Sequence, residues 1–330
     1  MQISPAALPN HAFTQVAEGL FCIDTDLYRP GLAACYLLED QGQLALIDTG
    51  TACAVPRILA VIAHLGFSPE AVDWIIPTHV HLDHAGATGD LLAVCPQAQV
   101  LIHPKGAPHL IDPTKLIAGA TAVYGEDEFL AHFGGLTAVP AERVIEATDE
   151  QVIRVGTRSL CFLDTPGHAN HHGCLFDEHT QGCFTGDTFG IAYREFHTAQ
   201  GPWLYAPTTP VAFDPERWLA SIERILALKP QALYLTHFGK VEQPEQCALQ
   251  LRASIQAMAD VALTLEDQPP GSARIEQLRT AVAEVLLNSA RAWGVTLPEA
   301  TLRELLAVDL ALNSQGLEVW LQRRARQAQA

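Results

Sequence analysis

The sequence is poor in charge, and poorest in positive charge. Only 17% of its 330 residues are Asp, Glu, Lys or Arg, and 20 Lys plus Arg face 37 Asp plus Glu, a net −17. A protein that grips nucleic acid through phosphate contacts needs the opposite balance, so no nucleic-acid partner is expected. Long apolar runs are missing too. Stretches such as 31–38 fall well short of the ~20 residues a helix needs to cross a bilayer, so no membrane partner is expected. The eight Cys are scattered and form no C-x-x-C pair. Disulfide scaffolds belong to short secreted chains, and these thiols read as mostly buried and reduced. The opening MQISPAALPNHAF has neither a basic n-region nor an apolar h-region. These absences together lead us to expect a cytoplasmic protein. With 48% hydrophobic residues the chain is too apolar to be disordered, and 23 Gly and 21 Pro are far too few for a collagen-like one.

The apolar pattern gives the organisation. Residues 19–50 read as three short strands, GLFCIDTD, ACYLLED and LALIDTG, broken by Gly, Pro and Asp. An amphipathic helix follows over 52–65, with Val55, Leu59, Val61 and Ile62 on one side. Residues 74–78 form a buried strand that runs into His79, and a helix starts near Asp83. Residues 99–135 read as helix and loop, with YGEDEF a polar stretch. Strands return from Arg143 in two hairpins, a helix spans 214–228, and ALYLTH is a last strand. Two strand blocks flanked by helices predict an α/β fold of two sheets packed face to face with helices outside. From 241 onward Leu, Ala, Gln and Arg dominate, and three or four helices are expected. We therefore read residues 1–240 as a catalytic domain and 241–330 as a helical region. The tail holds 8 basic and 11 acidic residues, a net −3, and the front domain carries −14.

The most informative stretch is THVHLDHAG, which packs His79, His81, Asp83 and His84 into six residues. Imidazole and carboxylate suit zinc and similar divalent metals. At a strand end, positions two apart share a face, so His79 and His81 can point the same way. Asp83 and His84 open the next helix and can turn to a neighbouring point, a geometry suited to two metals. His168 after FLDTPG, Asp187 after CFTG and His237 after LYLT each stand at the end of a predicted strand, where α/β folds gather their sites. An Asp among these seven can bridge two metals.

Through H-x-H-x-D-H, TPGH, TGDT and the terminal TH, residues 15–240 resemble the metallo-β-lactamase superfamily of hydrolases. The resemblance implies an αββα sandwich with a dinuclear site at one edge and a C-terminal helical extension added here. It implies that His79, His81 and His168 hold one metal, that Asp83, His84 and His237 hold the other, and that Asp187 bridges. It also matches Asp48 in LIDTG to an early Asp of the family that supports the ligand loop. The implied cofactors are two divalent ions, zinc by default, with iron or manganese served by the same ligands. The implied chemistry is attack by a metal-bridging hydroxide, with Asp83 orienting it and moving a proton to the leaving group. Asp187 stands where β-lactamases with a Cys ligand place that Cys, and His81 stands where diiron members tend to have Glu. The site is more similar to those of glyoxalase II, the quorum-signal lactonases and the RNase Z group, although a nuclease activity conflicts with the net −14 of the front domain. The glutathione-binding stretch of glyoxalase II is matched by QCALQLRASIQAMAD, where Arg252 is the one basic residue.

The segment 188–213 holds six aromatics in 26 residues of a chain that is 7% aromatic. It either walls the metal site for an apolar acyl or aryl group or packs under the tail helices. Tyr193 and His197 could donate to a substrate carbonyl, and Arg194 could bind a carboxylate. The stripe Leu317, Val319, Trp320 and Leu321 either packs on its own domain or forms a homodimer interface. The sequence thus points to a metal-dependent hydrolase of a small-molecule thioester, lactone or other carboxylic ester. The rivals are a phosphodiesterase on a small phosphorylated molecule, and an effector that keeps the metal site.

Overall fold

The structure is a computed structural model that describes residues 8, 9 and 11–328. Of the N-terminal segment read for a leader pattern, residues 1–7 and 10 lie outside the described residues. The chain forms two compact units. One comprises Met1–Asp164, His171–Gly186 and Pro230–Glu242, and the other Thr165–Asn170, Asp187–Lys229 and Gln243–Ala330. The two units interleave along the chain.

The first unit contains two mixed sheets. Its first sheet runs in chain order through β1 (Phe13–Ala17), β2 (Leu20–Asp24), β3 (Ala34–Asp40), β4 (Gln43–Ile47), β5 (Val72–Ile76), β6 (Gln99–Ile102) and β7 (Val144–Glu146). Neighbours are antiparallel up to β4 and parallel from β4 to β7. Parallel neighbours need crossovers, and α1 (Val55–His64), α2 (Leu82–Ala85), α3 (Thr88–Val94), α4 (Ala107–Ile111), α5 (Thr114–Tyr124) and α6 (Glu126–Phe133) lie in them. The second sheet is ordered β13 (Gly239–Glu242), β12 (Ala232–Leu235), β11 (Gly182–Gly186), β10 (Gly173–Asp177), β9 (Arg158–Asp164) and β8 (Val152–Val155). Only its β11–β12 pair is parallel.

Period-two alternation explains why the central strands read as continuous apolar runs. Ala34, Tyr36 and Leu38 of β3 face the second sheet and meet Phe162, Leu175, Phe184 and Tyr234. Cys35 and Leu37 face the other way, where Ile58, Val61 and Ile62 of α1 and Leu91 of α3 cover them. Both faces are buried, so neither can be polar. The helix expected from residue 52 begins as a 3₁₀ turn, because Pro56 sits at the start of α1. Three strands escaped the sequence reading, the edge strand β1 among them. β6 is only four residues inside a stretch read as helix and loop, and β13 follows directly on the HFG loop. YGEDEF is not merely polar: Glu126, Asp127 and Glu128 form the first turn of α6, where they favour the helix N-terminus.

The second unit is helical. α7 (Pro215–Ala227) starts where the Asp214 carboxylate accepts from the Arg217 amide at 3.2 Å. The tail supplies α8 (Pro244–Leu263), α9 (Ser272–Ala292), α10 (Glu299–Leu305) and α11 (Ala307–Ala328). Leu278, Val282 and Leu286 of α9 are buried, as are Leu317, Trp320 and Leu321 of α11. The stripes are spent inside this unit: Trp320 meets the ring of Phe213 at 5.4 Å. No helix among the described residues is long and apolar enough to cross a membrane.

A buried ion pair joins α9 to α11. Arg274 Nε lies 2.6 Å from Glu318 Oε2, and both side chains are 4% exposed. Arg274 also donates to the carbonyls of Glu266 and Gln268, and Glu318 accepts from the Gly271 amide. Arg274→Met leaves Glu318 buried without its cation and should cost about 3–5 kcal/mol. Arg274→Met/Glu318→Leu should recover most of that loss. Thermal unfolding of the three proteins checks both statements, and equal loss in the single and double variants would contradict them.

Candidate metal centre

Asp48 follows β4 with φ at 54°, a left-handed turn that few non-glycine residues adopt. Its carboxylate is 1% exposed. It accepts from the Thr78 amide at 2.7 Å, the Thr78 hydroxyl at 2.9 Å and the Thr236 hydroxyl at 2.6 Å. Its second oxygen lies 2.8 Å from His84 Nδ1. Thr78 precedes His79 in the loop after β5, and Thr236 precedes His237 in the loop after β12. One carboxylate therefore fastens loops of both sheets beside three of the expected ligands.

Hydrogen bonds at Nδ1 also orient the rings. His84 gives Nδ1 to Asp48, which turns Nε2 inward to 3.6 Å from Asp83 Oδ2. His237 gives Nδ1 to the Leu32 carbonyl at 2.7 Å, and its Nε2 lies 3.1 Å from the same Asp83 oxygen. Asp83, His84 and His237 thereby bring one donor atom each within 4.8 Å of one another. His79 Nε2 and His81 Nδ1 converge to 2.8 Å. In the second unit His168 gives Nδ1 to the Pro207 carbonyl at 2.8 Å, and its Nε2 lies 3.4 Å from Asp187 Oδ2. A ring whose far nitrogen is held by a carboxylate or carbonyl is the usual state of a metal-binding His. The donors are all imidazole nitrogen and carboxylate oxygen, the set that fits a divalent cation such as zinc.

The glycines of TPGH and TGDT have steric reasons. A Cβ on Gly186 would lie 2.5 Å from the Thr78 hydroxyl and 2.6 Å from His172 Nε2. A Cβ on Gly167 would lie 2.3 Å from Trp218 Cα. His172, which has no motif of its own, is buried with its ring stacked on His79 at 4.8 Å.

The aromatic segment is packing material in its own unit. Phe189, Tyr193, Phe196, Trp203, Tyr205 and Phe213 are at most 3% exposed. Tyr193 donates to Asp309 of α11 at 3.3 Å, Arg194 is on the surface, and the His197 ring lies 3.3 Å from the Ala192 carbonyl. Burial holds the His197 pKa below its usual value. Arg252, the lone basic residue of its stretch, is paired with Glu223 at 2.6 Å. Two residues without any motif signal lie beside the cluster in the first unit, Thr236 as a donor to Asp48 and Tyr28 within reach of the Asp83 charge.

Asp48→Ala strips the acceptor from the buried Thr78 amide and hydroxyl, the Thr236 hydroxyl and His84. Each orphaned group costs about 1–3 kcal/mol. Asp48→Ala should therefore lower the melting temperature far more than Thr236→Val, which removes one donor. Equal melting temperatures in the two variants would contradict the hub.

A family model described as the metallo-beta-lactamase superfamily matches residues 28–237. The chain is 29% identical over 217 residues to the metallo-beta-lactamase fold-containing protein ST1585 of Sulfurisphaera tokodaii, covering 64% of this chain and 75% of that protein. The crystal structure of ST1585 superposes with a TM-score of 0.60 at 27% identity, over 83% of this chain and 98% of the other. An N-acyl homoserine lactonase of Bacillus thuringiensis is 25% identical, covering 64% and 83%. An atrochrysone carboxyl ACP thioesterase of Aspergillus fumigatus is 26% identical, covering 64% and 52%. With the two mixed sheets, the appended helices and the His/Asp cluster, these matches show that the chain belongs to the metallo-β-lactamase superfamily of metal-dependent hydrolases.

Proposed function

We propose that the protein is a dinuclear metal hydrolase that cleaves small thioesters, lactones or related carboxylic esters. The observation that carries this reading is the common orientation of His84, His237 and His168, each with Nδ1 tied down and Nε2 directed at a carboxylate. On the family resemblance, His79, His81 and His168 would hold one metal, Asp83, His84 and His237 would hold the other, and Asp187 would be shared between them. The ligand set rests on the resemblance carried by H-x-H-x-D-H, TPGH, TGDT and the terminal TH. Asp187 is one peptide bond beyond Gly186 at the end of β11, and His168 is four residues beyond the end of β9. Zinc is the proposed metal, on the nitrogen and oxygen donor set.

When bound, two divalent cations supply Lewis acidity and lower the pKa of coordinated water to about 7. The protein's own part falls to Asp83. Its side chain is 26% exposed, against 6% or less for His84, His168, Asp187 and His237. It is the carboxylate that substrate can reach. Asp83 orients the attacking water, takes its proton and passes it to the departing thiolate or alkoxide. The buried imidazoles hold position and keep bulk water from the ligand atoms. The lactonase and thioesterase relatives support an acyl substrate, and the scarcity of Lys and Arg in the front domain disfavours a polyphosphate or nucleic acid.

Purified protein should carry about two metal equivalents per chain, and chelation should lower its melting temperature by ligand linkage. On a panel of acyl thioesters, lactones and phosphodiesters, the acyl compounds should be cleaved. Asp187→Ala should abolish turnover, and Asp83→Asn should lower kcat about 10²–10⁴-fold. Less than one metal per folded chain, near-wild-type turnover in Asp187→Ala, or cleavage confined to phosphodiesters would overturn the assignment.

A further inference from the structure

The six rings of 188–213 are sealed in the core of their own unit, so an apolar wall for substrate has to be sought elsewhere. One lies in the first unit. Tyr28 sits in the loop between β2 and β3 with φ at 56° and is 39% exposed. The loop is fixed rather than loose. The Asp24 carboxylate accepts from the amides of Asp26 at 2.9 Å and Gly31 at 2.8 Å, and Asp26 pairs with Arg57 of α1. The Tyr28 ring lies against His132 of α6, with centroids 4.3 Å apart, and meets Phe133 edge-on at 6.4 Å.

The backing of this face is built in. Glu128 holds His132 from one turn away, 3.1 Å from its Nε2. Gly134, just past α6, has room for no large side chain, because a Cβ there would lie 3.2 Å from Ala52 and Cys53. Beneath lies a small cluster of Leu82, Ala120, Phe129 and Phe133, with Tyr124 and Leu136 at its edge. Leu82 stands between His81 and Asp83 in the sequence. The apolar cluster is therefore continuous with the turn that carries the proposed ligands. Burial, the Asp83 charge and the Glu128 charge push the Tyr28 phenol up to about 12. It keeps its proton at any working pH, so the ring stays neutral beside the carboxylate.

We propose that the face formed by Tyr28 and His132, backed by the buried Phe133, receives the apolar acyl group of the substrate. This rests on the hydrolase reading and narrows it to medium-chain or longer acyl compounds. An acyl chain laid on these rings buries methylene after methylene and places its carbonyl toward Asp83. A short acyl group reaches Asp83 but leaves the rings in water. Tyr28 and His132 are then specificity-determining residues, since their rings contact the chain and not the reacting carbonyl.

The test compares decanoyl and acetyl thioesters on the metal-loaded full chain. The wild type should favour decanoyl in kcat/KM by about tenfold or more, the size expected for several buried methylenes. Tyr28→Ala and His132→Ala should each cut that ratio about fivefold or more, and Tyr28→Phe should keep it. No chain-length preference in the wild type, or an unchanged ratio in both alanine variants, would overturn the proposal. Calorimetric binding of decanoate and acetate separates this idea from the hydrolase reading. If neither thioesters nor lactones nor other carboxylic esters are cleaved, the hydrolase reading falls. Tighter binding of decanoate, lost in His132→Ala, still supports the wall, and equal binding of the two acids overturns it. His132 is half-buried on a surface helix, so its variant stands in if Tyr28→Ala does not fold.

Discussion

The Asp48 carboxylate is the interaction on which the rest of the metal centre depends. A carboxylate this deeply buried is expensive to hold unless its lone pairs are satisfied. Here they are, by one amide, two hydroxyls and one imidazole. Each donor is a neighbour of a proposed ligand or a proposed ligand itself: Thr78 before His79, Thr236 before His237, and His84 directly. The anion thereby fixes the His84 ring directly and pins Thr78 and Thr236, the residues that precede His79 and His237. Asp48 adopts a left-handed turn at this point, and its side chain is 1% exposed.

The helical unit repeats the principle with different parts. His168 is fixed by the Pro207 carbonyl. Pro207 lies in the irregular segment, whose backbone polar groups must find partners if the segment is to be buried. The tail helices provide them. Ser254 of α8 accepts from the Ala206 amide at 2.9 Å, and Asn313 of α11 accepts from the Thr208 amide at 2.7 Å. Gly316 lets α11 approach so closely that a Cβ there would collide with the Thr208 carbonyl. The tail is thus an anchor for the stretch that orients His168. That accounts for why its apolar stripes are buried within the unit, and why the aromatic rings of the segment serve as its core.

What the sequence could reveal follows from this division. The clustering of His and Asp side chains was legible because these residues recur at strand termini, and because H-x-H-x-D-H compresses four imidazole and carboxylate groups into six residues. The sandwich was legible because strands buried on both faces must be apolar at every position. Thr236 and His172 were not legible. A hydroxyl donor and a stacked imidazole act through distance to residues some 90 to 190 positions away, and they leave no local spacing behind. β6 and β13 were missed because four-residue strands carry too few alternations to be told from loop. The aromatic density of 188–213 was visible, but density alone does not distinguish rings that face a site from rings that hold a long segment against helices.

The contrast between these aromatics and Tyr28 shows which property separates the two roles. Rings that build a core exchange water for neighbours on all sides. Trp203 and Tyr205 stack at 4.9 Å, and Trp203 donates its indole N–H to Ser289 of α9 at 3.0 Å. Such rings stabilise the unit but have no face left for a ligand. Tyr28 has the opposite balance: an unusual backbone conformation, a loop pinned by carboxylates, one side of the ring covered and the other side in water. Holding a large aromatic in that state costs free energy that packing alone would not repay. A site that must bind an apolar group beside a carboxylate needs such a ring, because it can be desolvated by substrate and not by the protein.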